Sequence, residues 1–362
     1  MQSQIEEVNL KPVLLERLRF SDKPILKLNS VQLSAKEAFV EKIQSKEYTW
    51  EEIVECPVCA SEEFQLIGEK DRYGLHYPVV ICKTCGVVFA NPRLNEASFN
   101  SFYRDDYRPL YVGEEKPKER FFQSQIYKGQ KIYRYLKSKN IIDDTPKFIL
   151  EVGCGAGGIL KYFEQQGHEV MGIDLGEEYI NYGKNIHNLN LHFCSLTSVN
   201  LPKKPDLVIY SHVMEHLLNP KEDLQLLKQL IHLDSVIYIE VPGLKNLEKN
   251  YRMDLLQYFQ NAHTFHFSLG SLKNLLNLSG YKILMGNEHV KCICVPDSDI
   301  KEELINDYEN TIDYLLKLES KRLKYPFLFR SFLTSIQMIM LKILDVLKLR
   351  SIVKRIFGRY PE

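Results

Sequence analysis

Four cysteines near the amino terminus occur as two closely spaced pairs. Cys56 and Cys59 form the first Cys-x-x-Cys pair, and Cys82 and Cys85 form the second. Four thiolates at this spacing can complete a tetrahedral shell around one Zn²⁺ ion and leave no position open for water. The pattern therefore predicts a structural zinc site, with iron in a rubredoxin-like site as the alternative.

A glycine cluster follows an apolar run in residues 149–158, which read ILEVGCGAGG. Where a strand turns into a helix, Gly153, Gly155 and Gly157 can adopt positive φ and let a ligand approach the backbone closely. About 20 residues further on, Asp174 ends the next apolar run, where a carboxylate can accept hydrogen bonds from both hydroxyls of a ribose. These residues predict a bound adenosine.

The glycines alone do not distinguish between two cofactors. Gly153, Gly155 and Gly158 also match the GxGxxG spacing of dinucleotide-binding folds, so an NAD-dependent oxidoreductase is an alternative. Glu151 favours the other cofactor, because a carboxylate beside the loop would attract a cationic amino-acid group and repel a pyrophosphate. A non-catalytic binding protein, which would hold zinc but no adenosyl ligand, is a third hypothesis.

Short apolar runs alternate with helical segments from residue 148 onward. The runs cover residues 148–152, 170–174, 191–194, 207–210 and 236–241, and they are followed by a helix over 268–279 and a hairpin of 281–285 with 291–295. This alternation predicts a parallel sheet covered by helices on both faces.

Four segments in order resemble the core of the class I methyltransferases: ILEVGCGAGG, GIDLGEEYI, DLVIYSHVMEHLLNP and HTFHFSLGSLKNLLNLSGYKI. The resemblance implies an α/β, Rossmann-like fold with a seven-stranded sheet, and S-adenosylmethionine as the cofactor. It implies that Glu151 and Gly153 lie near the methionine portion, Asp174 on the ribose, and residues 194–196 beside the adenine. The full predicted cofactor set is Glu151, Gly153, Gly155, Gly157, Asp174, Leu175, Cys194, Ser195, Leu196 and Ser211. The family often has an acid after the third strand, whereas this chain has Cys194-Ser195-Leu196.

The sequence after the second cysteine pair, CGVVFANPRLNEASFNSFYRDDY, resembles the zinc-ribbon module that precedes many bacterial methyltransferases of sugar and polysaccharide modification. That resemblance implies O-methylation of a nucleotide sugar or glycan, with C-methylation of a nucleotide sugar as the rival. Zinc ribbons often bind nucleic acid, but residues 51–110 carry six Lys or Arg against ten Asp or Glu, a net charge of −4. This balance disfavours phosphate backbones, so we expect a small-molecule or glycan acceptor and no nucleic acid.

The candidate catalytic residues are His212, Glu215 and His216, which follow the run at 207–210, and His263. Methyl transfer to a hydroxyl needs the acceptor oxygen about 3 Å from the methyl carbon and a base for its proton. Histidine is suited to this role near neutral pH, so we predict that His216 or His263 is the base. Two alternatives stay open: the histidines only anchor the loop, or the cluster holds a divalent metal that polarises the hydroxyl.

The composition as a whole favours a cytoplasmic protein. The 362 residues contain 47 basic and 47 acidic side chains, for a net charge of zero. The amino terminus lacks the basic start and apolar stretch of a secretory signal, so we expect reduced thiols. No apolar run approaches the roughly 18 residues that a membrane span needs.

We divide the chain into five segments: an arm (1–50), a zinc-ribbon module (51–100), an aromatic-rich helical connector or lid (101–146), the methyltransferase domain (147–298) and a helical, basic, amphipathic region (299–362). In this last region, residues 321–359 carry ten Lys or Arg and one acid, a net charge of +9. Such a helix either docks on this chain or a second copy of it, or makes peripheral contact with an anionic inner membrane.

Overall fold

The computed structural model describes residues 12–113, 117–299 and 303–324, together with Ile336 and Ile339. The strands in these residues are β1 (Trp50–Glu51), β2 (Phe64–Lys70), β3 (His76–Cys82), β4 (Val88–Ala90), β5 (Arg93–Leu94), β6 (Phe148–Val152), β7 (Glu169–Asp174), β8 (Leu191–Phe193), β9 (Leu207–Ser211), β10 (Val236–Glu240), β11 (Phe265–His266), β12 (Tyr281–Gly286) and β13 (Lys291–Pro296). The α-helices are α1 (Ser30–Gln44), α2 (Glu96–Asp105), α3 (Tyr107–Val112), α4 (Glu119–Ser138), α5 (Gly158–Gln165), α6 (Glu177–His187), α7 (Pro220–Leu230), α8 (Leu255–Tyr258), α9 (Leu269–Leu278) and α10 (Tyr308–Lys324).

Seven strands form the central sheet in the order β12-β13-β10-β9-β6-β7-β8. The strands from β10 to β8 are parallel, and β13 is antiparallel to both of its neighbours. The chain leaves β6 toward β7 on one side and later returns to β9 on the other. A crevice therefore opens at the carboxyl ends of β6 and β9, where open α/β sheets bind their ligands. This arrangement confirms the predicted Rossmann-like methyltransferase fold.

Helices cover both faces of the sheet. One face packs against α4, α5 and α6 through a buried cluster that includes Phe122, Leu160 and Ile180. The other face packs against α7 and α9 through residues such as Leu224 and Leu272. All five residues of β6 are buried, as a strand at the centre of a doubly covered sheet requires.

The segment that carries the cysteine pairs belongs to the buried cluster on the α7 and α9 side of the sheet. Strands β2, β3 and β4 are antiparallel, and β11 pairs with β4 to complete a four-stranded sheet in the order β11-β4-β3-β2. Cys82, Cys85 and Phe89 belong to the same buried cluster as Phe265 and Leu272. Because β11 lies directly before α9 in the chain, the cysteine-bearing sheet and the central sheet share one apolar core.

Residues before α1 are held against the cysteine-bearing sheet. The amides of Leu14 and Leu15 donate to the backbone of β2 at 2.9 and 3.3 Å, and Leu18 is fully buried. Arg17 pairs with Glu319 of α10 at 2.8 Å. The described part of the amino-terminal segment is thus packed on both the sheet and α10.

Helix ends follow local capping more closely than apolar spacing. Helix α1 begins at Ser30, because Asn29 and Gln32 form a reciprocal capping box. Helix α9 begins after Ser268, whose side chain accepts from Ser271 N, and the chain turns at Gly280 with φ 77°. The predicted strand at 191–194 ends one residue earlier, at Phe193.

The carboxyl-terminal prediction lies largely outside the described residues. Helix α10 covers residues 308–324 and includes only the first four positions of the basic stretch at 321–359. In the part of the chain that the structure describes, no helix combines the length and apolar character that a membrane crossing requires.

Candidate functional site

The glycine loop lies at the crevice, between β6 and α5. Gly153 has φ 69°, and a Cβ there would lie 2.4 Å from Val213 Cγ2, so both the backbone and the available space demand glycine. Gly155 has φ 53°, and no atom lies within 4 Å of the position that its Cβ would occupy. The backbone at Gly155 therefore faces open space in which a ligand can approach.

Asp174 is held in place by the loops on either side of it. Its Oδ2 accepts from Gly155 N and its Oδ1 from Gly176 N, both at 2.7 Å. Each oxygen retains a lone pair, so the carboxylate can accept from two vicinal hydroxyls. Leu175 beside it is 56% exposed, as a residue at the mouth of a cleft can be.

The predicted adenine-side residues follow β8. Leu196 is buried, while Cys194 and Ser195 are half-buried. The hydroxyl of Ser195 lies 2.6 Å from Thr197 Oγ1. The segment therefore presents an apolar side chain and short polar groups, with no acid in the position that the family often uses.

Two buried side chains on adjacent central strands each have an oxygen without a hydrogen-bond partner among the described residues. Glu151 of β6 is 2% exposed, and its Oε2 is unpartnered, as is the hydroxyl of Ser211 on β9. Burial raises the pKa of Glu151 well above its usual range, although Lys128 of α4 opposes that shift. An unsatisfied buried carboxylate is costly, so this pocket fits a ligand that brings a positive charge.

A second carboxylate ends the neighbouring strand. Glu240 of β10 pairs with Lys291 at 3.0 Å. Burial would raise its pKa, but Lys128, His212 and Lys291 lower it to about 2. Glu240 therefore stays ionised beside the pocket of Glu151.

The turn after β9 carries three of the predicted catalytic residues. His212 has φ 60°, a strained conformation for a residue with a side chain, and its amide donates to Glu240 O at 2.7 Å. Glu215 is 2% exposed, and its Oε1 lies 3.2 Å from His212 Nδ1 and 3.9 Å from His216 Nε2. Neither oxygen of Glu215 accepts a well-aligned hydrogen bond from the described residues. The turn thus holds a buried, unsatisfied carboxylate between two imidazoles.

The hydrogen bonds of His216 fix its tautomer. Its Nδ1 lies 2.8 Å from Ala262 O, and a carbonyl can only accept, so Nδ1 carries the proton. The Nε2 lone pair therefore faces Glu215 and the cleft. Burial lowers the pKa of His216, and Glu215 partly offsets that shift, so the ring is neutral at neutral pH.

His263 lies beside these residues, with its ring centroid 4.8 Å from that of His216. The Gln260 amide oxygen accepts from the Arg72 guanidinium, so the Gln260 NH₂ group must donate to His263 Nε2. The neutral ring therefore carries its proton on Nδ1, which has no partner among the described residues. Burial, with His216 and His266 nearby, lowers the pKa of His263 well below its usual range.

Glu215, His216 and His263 could together be read as a metal site, because their ligand atoms lie within 4.8 Å of one another. His263 fits that role poorly, since Nε2 accepts from Gln260 and Nδ1 carries the proton. A metal ion would then find two ligands rather than three, fewer than a protein site usually supplies. The arrangement suits a hydrogen-bonding ligand better.

Two of three stacked tyrosines of the connector lie against this cluster. Tyr103, Tyr107 and Tyr111 stack in a row, with centroids 4.4 and 5.5 Å apart. The rings of Tyr103 and Tyr107 lie 5.6 and 5.7 Å from the ring of His216. An aromatic wall therefore borders the polar cluster.

Two comparisons of the sequence with known proteins match methyltransferases. A sequence model described as a methyltransferase domain matches residues 127–285. An uncharacterized methyltransferase of Staphylococcus carnosus is 22% identical over 149 residues, which cover 38% of this chain and 71% of that protein. The chain is a methyltransferase.

Solved methyltransferase structures are also similar to this enzyme. The plantazolicin methyltransferase BpumL in complex with SAH is 21% identical, covers 63% of this chain and 90% of its own, and has a TM-score of 0.38. A Burkholderia thailandensis 1,6-didemethyltoxoflavin-N1-methyltransferase is 14% identical, covers 59% of this chain and 96% of its own, and has a TM-score of 0.41.

The methyltransferase also brings its four predicted metal-binding cysteines together. The Sγ atoms of Cys56 and Cys85 are 3.7 Å apart, and those of Cys59 and Cys82 are 3.5 Å apart. Four sulfurs at about 2.3 Å from a tetrahedral zinc ion would be separated by about 3.8 Å. The separations greatly exceed a disulfide bond of about 2.05 Å, so the cluster fits a metal ion and not a pair of disulfides.

Both cysteine pairs have the same turn geometry. The amide of Ala60 donates to Cys56 O and that of Gly86 to Cys82 O, each at 2.9 Å. Ala60 and Gly86 both have positive φ, at 59° and 72°. The repeated turn directs two thiols per pair toward a common centre.

Several residues around the methyltransferase cleft escaped the sequence analysis. Glu240 could have been found, because it ends a buried strand as Asp174 does. Arg72, Gln260 and Lys128 gave no signal, since their positions depend on contacts between distant segments.

Proposed function

We propose that this enzyme O-methylates a hydroxyl of a nucleotide sugar or glycan, with His216 as the base. The observation that carries the proposal is Glu215, a buried carboxylate without a hydrogen bond that faces the free Nε2 of His216. A neutral imidazole with an available lone pair can accept a proton from a hydroxyl. The carboxylate then stabilises the imidazolium that forms.

The proposed cofactor pocket consists of the predicted residues along the crevice. Asp174 would accept from the ribose hydroxyls, and Glu151 with Ser211 would bind the ammonium group at the methionine end. Leu175 and residues 194–196 would line the adenine side, and Gly153, Gly155 and Gly157 would admit the cofactor close to the backbone. When bound, S-adenosylmethionine supplies the electrophilic methyl group.

The remaining members of the predicted catalytic set take different roles in this proposal. His263 has no free lone pair, so it acts as a hydrogen-bond donor and the base is His216. Its Nδ1–H would donate to the acceptor oxygen while His216 Nε2 takes the proton. His212 is partly exposed and lies nearest Glu215 Oε1, where it screens that carboxylate from solvent.

The proposed acceptor class rests on the zinc-ribbon resemblance and on the aromatic wall. Sugar rings pack their apolar faces against aromatic side chains, and the Tyr103 and Tyr107 rings lie directly beside His216. We further propose that Cys56, Cys59, Cys82 and Cys85 hold a structural Zn²⁺ ion, since four sulfurs leave no open position.

The test is methyl transfer from radiolabelled S-adenosylmethionine to a panel of nucleotide-linked sugars, with the methylated atom located by NMR. We expect an O-methyl sugar, and His216→Gln should abolish transfer while SAH affinity stays unchanged. A methyl group on carbon would instead support C-methylation of a nucleotide sugar. Transfer by His216→Gln at the normal rate would exclude His216 as the base.

The cofactor part is tested separately by calorimetry. Asp174→Ala should reduce SAH affinity by roughly 10-fold or more, because a charge-assisted hydrogen bond contributes about 1.5–3 kcal/mol. Asp234→Ala, which removes an exposed carboxylate after α7, is the matched control. Equal SAH affinity in both variants would contradict the ribose role.

A further inference from the structure

We propose that the hairpin between the two cysteine pairs positions His263, so that Arg72 and Gln260 are positioning residues of the methyltransferase site. The hairpin consists of β2, β3 and the turn at residues 71–75. The proposal rests on the proposed role of His263 as a donor to the acceptor oxygen. It assigns the cysteine-bearing segment a part in building the site.

The hairpin turn is rigid because a buried carboxylate organises it. Asp71 is fully buried, and its Oδ1 accepts from the amides of Tyr73 and Leu75, both at 2.9 Å. Its Oδ2 accepts from Asn261 N at 3.1 Å. One side chain thus closes the turn and attaches it to the loop that carries His263.

Backbone contacts extend this attachment along the loop. Arg72 N donates to Phe259 O at 3.0 Å, and the Tyr77 hydroxyl donates to His263 O. Ala90 N donates to Thr264 O at 3.0 Å. Segments of the hairpin and of β4 therefore hold the backbone of residues 259–264 at several points.

A side-chain relay then sets the protonation of the ring. Arg72 has only donors, so its contact with Gln260 fixes which end of that amide is the oxygen. The Gln260 NH₂ group consequently donates to His263 Nε2 and leaves the ring proton on Nδ1. The guanidinium, two hydrogen bonds away, therefore determines that the unpartnered Nδ1 of His263 is a donor.

The direction of that donor matters because its neighbours can only accept. Glu215 offers two unpartnered oxygens, and His216 offers the Nε2 lone pair. One ligand atom of each of the three residues lies within 4.8 Å of the other two, a spacing that one hydroxyl oxygen between His263 and His216 could bridge. A hydroxyl oxygen there would accept from His263 and donate to His216, as methyl transfer requires.

The test compares Gln260→Glu with the wild-type enzyme and with Gln166→Glu, which makes the same chemical change at an exposed residue after α5. A glutamate at 260 still pairs with Arg72 but can only accept, so the His263 proton should move to Nε2. NMR of protein labelled with ¹⁵N-histidine reports the tautomer, and His263→Gln assigns the signal. We expect the two ring-nitrogen signals of His263 to exchange positions only in Gln260→Glu.

Metal content, melting temperature and SAH affinity are measured on the same samples, and we expect Gln260→Glu to leave all three near the wild-type values. A wild-type His263 that carries its proton on Nε2, or a Gln260→Glu variant with an unchanged signal, would overturn the proposal. The NMR measurement needs no methyl acceptor, so its result does not depend on whether the acceptor is a sugar. If Gln260→Glu does not fold, the tautomer of His263 is measured in the wild type and in Arg72→Met. The proposal requires the proton on Nδ1 in the wild type and a different tautomer in Arg72→Met.

Discussion

At the scale of single residues, the cleft is defined by polar groups that the folded chain leaves unsatisfied. Glu151, Ser211 and Glu215 are buried, and each has an oxygen without a hydrogen bond among the described residues. Such groups destabilise the empty protein, because their hydration is lost without replacement. A ligand that supplies hydrogen-bond partners to these oxygens would recover that cost as binding energy.

Glu151 predicts a proton-linked cofactor affinity. Burial raises its pKa well above the usual range, so the enzyme without ligand keeps a proton there to higher pH than an exposed carboxyl group does. An ammonium group in the pocket favours the carboxylate, and SAH binding should therefore release a proton. Calorimetry in buffers of different ionisation enthalpy measures this release. Glu151→Gln should bind with the same heat in every buffer, and a wild-type enzyme that also did so would refute the linkage.

His216 predicts a pH profile. Burial lowers its pKa below the usual value of 6.5, and protonation of Nε2 removes the lone pair that accepts the hydroxyl proton. The base form therefore predominates at neutral pH and is lost as the pH falls through the lowered pKa. We expect the acidic limb of kcat/KM to have its midpoint below 6.5. A midpoint above that value would mean that another group titrates.

At the scale of elements, the sequence predicted what depends on local pattern. The apolar runs identified the strands of the central sheet, and the glycine cluster with Asp174 identified the crevice at their ends. The spacing of the cysteines predicted a cluster that the structure brings together. Capping altered the ends of α1 and α9, because a hydrogen bond at one residue decides where a helix begins.

The pairing of β11 with β4 could not be predicted in the same way. Strand β11 has only two residues, Phe265 and His266, and its partner lies more than 170 positions earlier in the chain. No periodicity is measurable in so short a strand. The relay from Arg72 to His263 likewise joins segments about 190 positions apart, so no local pattern predicts it.

The cysteine cluster predicts coupled loss of metal and stability. Cys82→Ser should lower the zinc content and the melting temperature together, because a site with three thiolates binds the ion less tightly. Cys194→Ser removes a half-buried thiol outside the cluster and should keep the zinc. Elemental analysis and thermal unfolding measure both quantities. A Cys82→Ser protein with full zinc content would show that these thiols are not the ligands.

At the scale of the whole molecule, the methyltransferase core depends on the segment before it. Phe265 and Phe267 pack in one cluster with Phe89, Cys82 and Val87. A protein that lacks residues 12–94 would expose these rings and leave β11 unpaired. We expect it to aggregate or to expose apolar surface to a fluorescent dye, and to bind no SAH. A soluble truncated protein with wild-type SAH affinity would show that the core folds alone.

The sheet shared by β4 and β11 also has a consequence for synthesis on the ribosome. The cysteine pairs and β4 emerge early, but the outer edge of β4 stays unpaired until residue 266 has been made. At about 5–20 residues per second, the 176 residues after Ala90 take roughly 10–35 s to synthesise. During that interval the nascent chain presents an open strand edge next to buried phenylalanines, the kind of surface on which chains associate. If the four cysteines bind the proposed zinc ion early, that ion would hold the hairpin in register until β11 has been made.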